Sequence, residues 1–206
     1  MSLQLLSEEL GIRWHGRGGQ GAVTGAIVLA VAAVDEGFYA QAFPEFGAER
    51  RGAPVRAYNR ISRNPIVTRA VVLEPHIVAV LDSSLSPSIY LSGLKPQGWV
   101  VVNTKRRAKD LAESLGVSRV AVVDATGIAL KHMKAPIANT PMLGALAKIL
   151  GFVSLDSLAR AIARVVFETE VEDVESYLKS PRGDPRVKAN IEALREAYEK
   201  TEVVSE

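Results

Sequence analysis

Cysteine is missing from this 206-residue sequence, and histidine occurs only three times. Without a thiolate the chain can form no disulfide and offers no cysteine ligand to an iron–sulfur cluster or a structural zinc ion. His15, His76 and His132 do not show the spacing of a metal-binding pair, and no Ser-His-Asp constellation is visible. The sequence therefore predicts no metal site and no catalytic residue here, and any redox centre must belong elsewhere.

Long apolar runs and aromatic residues are also scarce. The longest nearly apolar run, residues 22–34, is shorter than the roughly 20 residues that span a bilayer. The N-terminus lacks the basic start and apolar core of a secretory signal. Aromatic content is 6%, the pI is near 8.9, and no nucleic-acid recognition signature is present. We therefore expect a cytoplasmic protein with neither a membrane nor a nucleic acid as a partner.

Alternating strand-like and helix-like segments make up the first two thirds of the chain. Short β-rich runs occupy residues 12–15, 39–43, 55–62, 66–72, 77–81, 99–103 and 120–123, and an Ala-rich, nearly apolar helix is predicted at 20–36. A chain that is 48% hydrophobic and 23% charged can bury a full core. The pattern predicts a three-layer α/β fold, with a largely parallel, Rossmann-like sheet and helices on both faces.

The last third of the sequence indicates helices. Thr140-Pro141 and Asp184-Pro185 are typical of helix starts, and Gly151 is typical of a helix end. After Asp124 we expect no further strand. Residues 1–206 are thus predicted to form one domain, with 152–206 as a helical C-terminal extension.

A glycine loop follows the first predicted strand. Gly16, Gly18 and Gly21 satisfy G-x-G-x-x-G before a helix, where the backbone can turn tightly and let a phosphate approach. A dinucleotide enzyme would place an acid about 20 residues later, at the end of the second strand, but residues 39–43 contain none and the next acid is Glu45. The glycines would also be explained by a tight turn alone. Gln20, whose amide can donate and accept, and Arg17 favour a ligand. The candidate ligand-binding residues of this loop are Gly16, Arg17, Gly18, Gly19, Gln20 and Gly21.

A basic segment is the second candidate site. Six arginines and no carboxylate lie between Arg50 and Arg69. Alternation at period two places Arg56, Tyr58 and Arg60 on one face of a strand. This face would bind phosphates or an acidic partner, or it would simply be a solvated strand face. Arg50 and Arg51, in a loop between glycines, are the functional candidates.

Three parts of the sequence resemble one known family. They are the glycine loop with its Ala-rich helix, residues 41–57 with the sequence Glu49-Arg50-Arg51-Gly52-Ala53-Pro54, and residues 139–147. That family is the gamma subunit of pyruvate or 2-oxoacid:ferredoxin oxidoreductase. The resemblance covers about residues 12–166, and its arginine loop is the most specific part.

The resemblance implies a part of an enzyme that is inactive alone. The complex would convert pyruvate or a branched-chain 2-oxoacid plus coenzyme A to acyl-CoA, CO2 and reduced ferredoxin. Alpha, beta and delta subunits would be the partners and would carry thiamine diphosphate, Mg and iron–sulfur clusters, with ferredoxin reached through the complex. This chain would bind none of these cofactors alone, and Gly183-Asp184-Pro185 is not the G-D-G of a thiamine diphosphate site.

By the same resemblance, the glycine loop would face coenzyme A, with Arg50 or Arg51 near a phosphate or a neighbouring subunit. The chain would thus support assembly and coenzyme A binding. Two alternatives stay open: a free-standing NAD-binding Rossmann oxidoreductase, and a scaffolding or regulatory module with no small ligand.

Overall fold

The computed structural model describes residues 9–45 and 54–205 of the chain. The elements are, in order, β1 (Leu10–Arg17), α1 (Ala22–Asp35), β2 (Tyr39–Glu45), β3 (Pro54–Ser62), β4 (Ile77–Val80), α2 (Pro87–Tyr90), β5 (Trp99–Asn103), α3 (Ala108–Leu115), β6 (Arg119–Val123), α4 (Ala125–Met133), α5 (Asn139–Leu150), α6 (Leu155–Phe167), α7 (Val174–Lys179), α8 (Pro185–Lys200) and β7 (Glu202–Ser205). Helices in these two ranges all fall short of the length and apolar character needed to cross a membrane.

The strands form one sheet in the order β2-β3-β1-β4-β5-β6-β7. Its centre, β1, β4, β5 and β6, is parallel. Next to this centre, β3 runs antiparallel to β1, and β7 runs antiparallel to β6. Since β2 is antiparallel to β3, it points the same way as β1. Five of the seven strands therefore share one direction, which confirms the largely parallel sheet.

Helices cover both faces of the sheet, as predicted. Because side chains alternate along a strand, Ile77 and Val101 face one layer, while Val78 and Val100 face the other. The first layer consists of α1 and α5, backed by α4, α6 and α8. The second consists of the short α2 and α3. The larger core thus lies on the face that carries α1.

Glycines allow two close contacts in this larger core. A Cβ at Gly25 of α1 would lie 3.0 Å from the indole ring of Trp14, so α1 sits directly on β1. A Cβ at Gly144 of α5 would overlap the backbone carbonyl oxygen of Leu194 in α8. The backbones of α5 and α8 therefore approach more closely than any side chain at this position would permit.

Three sequence-based expectations are wrong. Residues 66–72 form no strand: the carbonyls of Ile66 and Ala70 instead accept hydrogen bonds from the side chains of Gln41 and Arg60. The tail is not helical to its end either, because β7 pairs with β6 after α8. An edge strand leaves backbone N–H and C=O groups unpaired, and β7 supplies partners for those of β6. Finally, α5 begins at Asn139, one residue before the Thr140-Pro141 pair that predicted its start.

Candidate functional site

The glycine loop joins the end of β1 to the start of α1. Gly19 and Gly21 have φ angles of 95° and 82°, in the region that favours glycine. Gly21 is the N-cap of α1, and no side chain caps this helix. The first backbone N–H groups of α1 are therefore open to a ligand, which an anion would satisfy best.

Gln20 and Arg17 brace this loop from within. The Oε1 atom of Gln20 accepts a hydrogen bond from the backbone nitrogen of Arg17 at 2.7 Å, and its Nε2 atom donates to Asp82 at 3.4 Å. The guanidinium of Arg17 forms an ion pair with Asp82 at 2.8 Å. Burial alone would raise the pKa of Asp82, but hydrogen bonds from Ser84 and Arg17 outweigh it and lower this pKa. Asp82 therefore stays ionised and anchors both residues.

A cleft of about 780 Å³ opens beside the loop. Its walls come from the glycine loop, the α4–α5 connection, the end of α6 and the start of α8. The apolar lining includes Val23, Met133, Ile137, Val166, Phe167 and Ala189. The cleft thus combines one wall of backbone amides with a largely apolar interior.

Three helices begin at this cleft. The first residues of α1, α5 and α8, namely Ala22, Asn139 and Pro185, all line it. The start of α8 is already occupied, since Asp184 accepts a hydrogen bond from the backbone of Arg186. Neither α1 nor α5 has a side-chain bond from its N-cap residue. Because helix N-termini carry partial positive charge, α1 and α5 together favour a negatively charged ligand.

The starts of α1 and α5 are in direct contact. A Cβ at Gly21 would lie 2.7 Å from the Nδ2 atom of Asn139, so only glycine lets the two helices meet here. Asn139 is 8% exposed, and its Oδ1 atom accepts a hydrogen bond from the backbone nitrogen of Thr140 at 2.8 Å. Thr140 in turn donates through its hydroxyl to Asn190 of α8.

One polar side chain that lines the cleft, His132, contacts carboxylates outside it. His132, at the end of α4, contacts Glu192 and Glu196 of α8. Hydrogen bonds from His132, Lys131 and Lys200 lower the pKa of Glu196 to about 2. This carboxylate is thus ionised and its charge is matched by neighbouring cations. Among residues 9–45 and 54–205, no three His, Cys, Asp or Glu side chains are grouped so that they could hold a metal ion.

Within β3 the predicted face exists, but acidic residues neutralise it. Arg56 pairs with Glu45 of β2 at 3.3 Å, and Tyr58 donates a hydrogen bond to the same carboxylate. Arg60 pairs with Glu9. Cross-strand register places Glu45 opposite Arg56, a pairing that the run of arginines alone does not reveal. This strand face is therefore neither a free phosphate site nor a bare solvated surface.

The loop with Arg50 and Arg51 lies outside the described residues. Its described neighbours are informative, because Pro54 is opposite Arg17 in the register of β3 and β1. Val55 also lines the cleft. The segment that follows the arginine loop therefore begins beside the glycine loop, and the role of the two arginines stays a prediction.

The topology argues against a dinucleotide site. In a dinucleotide-binding βαβ unit, the strand that follows the first helix lies parallel and next to the first strand. Here α1 leads to β2 at the edge of the sheet, and antiparallel β3 separates β2 from β1. The one acid near the end of β2, Glu45, is bound to Arg56 and Tyr58.

Sequence reasoning missed Asn139, Thr140 and Arg186 as parts of the cleft. Two signals were present: Thr140-Pro141 and Asp184-Pro185 each indicated a helix start. Nothing in their spacing indicates that these starts meet the glycine loop.

Comparison with known proteins assigns the chain to a family. Residues 11–200 match the family described as pyruvate ferredoxin/flavodoxin oxidoreductase. The pyruvate/ketoisovalerate oxidoreductases common subunit gamma of Pyrococcus furiosus is 46% identical over 195 residues, which cover 93% of this chain and 97% of the relative. The pyruvate synthase subunit PorC of Thermotoga maritima is 41% identical over 189 residues, which cover 91% of this chain and 92% of the relative.

Solved structures agree with this assignment. The crystal structure of the Thermotoga maritima pyruvate oxidoreductase subunit PORC has a TM-score of 0.76 at 40% identity, covering 95% of this chain and 98% of that chain. The 2-oxoglutarate:ferredoxin oxidoreductase of Magnetococcus marinus, solved with 2-oxoglutarate, coenzyme A and succinyl-CoA bound, has a TM-score of 0.70 at 20% identity. It covers 92% of this chain and 30% of that chain, and it shows a likeness of fold alone. The chain therefore belongs to the pyruvate ferredoxin/flavodoxin oxidoreductase family, as a subunit of a 2-oxoacid:ferredoxin oxidoreductase, which confirms the resemblance to its gamma subunits.

Proposed function

We propose that this subunit holds coenzyme A in the cleft beside the glycine loop. The complex then converts pyruvate or a branched-chain 2-oxoacid, coenzyme A and oxidised ferredoxin to acyl-CoA, CO2 and reduced ferredoxin. The observation that carries the proposal is the meeting of the uncapped start of α1 with the first residue of α5 at a largely apolar cleft.

Coenzyme A fits the chemistry of this cleft. It joins a phosphorylated, anionic end to a long, uncharged arm with apolar stretches that carries the thiol. The open amides at the start of α1 favour phosphate oxygens, and side chains such as Ile137 and Phe167 suit the arm. The Magnetococcus marinus enzyme, which has this fold in 30% of its chain, was solved with coenzyme A bound. That likeness supports the proposal.

The other cofactors belong to other subunits in this proposal. The chain has no cysteine for an iron–sulfur cluster. Asp184, in the sequence that departs from G-D-G, caps α8. Alpha, beta and delta subunits would therefore carry thiamine diphosphate, Mg and the clusters, and would transfer electrons to ferredoxin in the cytoplasm. The gamma-type chain would be inactive alone, and it would support assembly and coenzyme A binding.

Arg50 and Arg51 would bind a phosphate of coenzyme A or a neighbouring subunit. The described residue that follows their loop, Pro54, pairs with Arg17 beside the site. Removing the charged partner of a desolvated phosphate costs roughly 2 to 5 kcal/mol, and far less at a wet rim. The size of the loss in coenzyme A affinity therefore tells whether the arginines contact a desolvated phosphate or lie at a wet rim.

The test is a reconstituted complex that carries Arg50→Ala and Arg51→Ala. We expect a raised KM for coenzyme A and an unchanged KM for the 2-oxoacid. The matched control is Arg63→Ala, because Arg63 is exposed just after β3 and stacks on Phe38 rather than lining the cleft. An unchanged KM for coenzyme A in an intact complex would mean that the two arginines have only a structural role. Failure of coenzyme A to bind the complex through this chain would favour the scaffolding alternative, and turnover of an oxoacid by the purified chain would contradict inactivity alone.

A further inference from the structure

Asn139 combines deep burial with hydrogen-bonding atoms that the fold does not use. Its side chain is 8% exposed and lines the cleft at the first residue of α5. The Oδ1 atom is engaged by the backbone nitrogen of Thr140. Within residues 9–45 and 54–205, the Nδ2 atom donates to no hydrogen-bond acceptor. Two N–H donors of a nearly buried amide are thus left for whatever enters the cleft.

The position of these donors adds to the two helix starts. The amide of Asn139 lies against Gly21, the N-cap of α1, while its own backbone begins α5. An oxygen held by Nδ2 would therefore lie close to the open amides at the start of α1. The Nδ2 atom is not enclosed by the protein, so a ligand oxygen in the cleft can accept its hydrogen bond.

We propose that Asn139 is a ligand-binding residue, whose side-chain amide donates to an anionic oxygen of coenzyme A where α1 and α5 begin. This inference rests on the proposed function and adds a residue to its site. It makes the contact between the two helices part of the binding site and not only of the packing.

Asn139→Asp separates this role from a purely structural one. Aspartate has the same shape and keeps an oxygen for the backbone nitrogen of Thr140. It is also as good as asparagine at a helix N-terminus and is favoured by the helix dipole. A structural role would therefore survive the substitution. A ligand-binding role would not, because two donors become a negatively charged acceptor.

In the reconstituted complex, we expect Asn139→Asp to raise the KM for coenzyme A at least about tenfold, as for the loss of a hydrogen bond to a charged group. The thermal midpoint, subunit assembly and KM for the 2-oxoacid should stay at wild-type values. The matched control is Asn190→Asp, which places the same charge in the same cleft. Both amide atoms of Asn190 are engaged, by Thr140 and by the carbonyl of Arg186, so a clearly smaller effect is expected.

Two results would overturn the inference while the proposed function stands. One is an unchanged KM in Asn139→Asp. The other is an equal rise in Asn139→Asp and Asn190→Asp, which would indicate a general charge effect. If the wild-type complex does not bind coenzyme A through this chain, the proposed function fails. Titration of the full chain with inorganic pyrophosphate then tests Asn139 by itself. Pyrophosphate binding that is lost in Asn139→Asp supports an anion site at Asn139. No pyrophosphate binding by the wild-type chain overturns the inference as well as the proposed function.

Discussion

The guanidinium of Arg13 donates a hydrogen bond from Nε to the Nε2 atom of His15, at 2.9 Å, on a buried face of β1. Arg13 also donates to the carbonyls of Leu73 and Tyr90, and both members of the pair are nearly inaccessible to solvent. Burial, helped by the positive charges of Arg13 and Arg56, lowers the pKa of His15 from 6.5 to about 3. The histidine is therefore neutral and serves as an acceptor inside the sheet.

The low pKa of His15 predicts that the protein loses stability in mild acid. A neutral buried histidine contributes fully above the unfolded pKa of 6.5, and its contribution is lost as the pH falls towards about 3. The limiting slope for one such group is about 1.4 kcal/mol of unfolding free energy per pH unit. Urea unfolding of the wild type and of His15→Gln between pH 4 and 7 measures how the unfolding free energy changes with pH. We expect the wild type to lose stability more steeply, because glutamine can accept from Arg13 without titrating, and parallel curves would contradict the assignment.

Gly144 is predicted to be the least replaceable glycine of the helical layer. Gly144→Ala would push a methyl group into the carbonyl oxygen of Leu194, whereas Gly25→Ala would meet the side chain of Trp14 at 3.0 Å. Backbone cannot yield as a ring can, so overpacking at Gly144 should cost about 1–3 kcal/mol or more. Both substitutions gain about 1 kcal/mol of helix propensity. In chemical unfolding, Gly144→Ala should have a clearly lower free energy of unfolding than Gly25→Ala. The reverse order would refute the close packing of α5 on α8.

A comparison of Gly19→Ala with Gly21→Ala tests the contact between α1 and α5. Both glycines have positive φ, and each alanine should pay roughly 1–2 kcal/mol for that conformation. A methyl group at position 19 meets nothing within 4 Å, whereas one at position 21 would displace the amide of Asn139. We therefore expect the larger loss of thermal stability and the higher KM for coenzyme A in Gly21→Ala. Equal effects would mean that the contact is unimportant.

Gln20→Glu tests whether this side chain braces the loop. Glutamate keeps the acceptor for the backbone nitrogen of Arg17, but it replaces the donor to Asp82 by a second carboxylate. We expect a loss of about 1–3 kcal/mol at neutral pH, partly recovered in acid when one carboxylate takes up a proton. The control is Gln97→Glu, which adds the same charge at an exposed position. Thermal denaturation at pH 5 and 7 provides the measurement, and a variant as stable as the control would show that Gln20 is not a brace.

Local features of the site were predictable because neighbours in sequence determine them. The glycine loop follows from residues that turn directly between a strand and a helix, and Gly21 indeed takes the left-handed conformation at the start of α1. The six strands up to Val123 followed from short runs rich in aromatic, β-branched and other apolar residues. The segment 66–72 has a similar composition, yet it forms no strand because its carbonyls bind side chains of the sheet.

Sequence alone determined the absence of thiolate chemistry, the alternation of strands and helices, and an amide-lined bend before α1. These depend on composition and on contacts between residues a few positions apart. Only the tertiary structure decided that Asn139 meets Gly21, that Glu45 neutralises Arg56, and that β7 completes the sheet. Such pairings depend on the order and register of strands and on how closely helices pack, and residues far apart in the chain set them jointly.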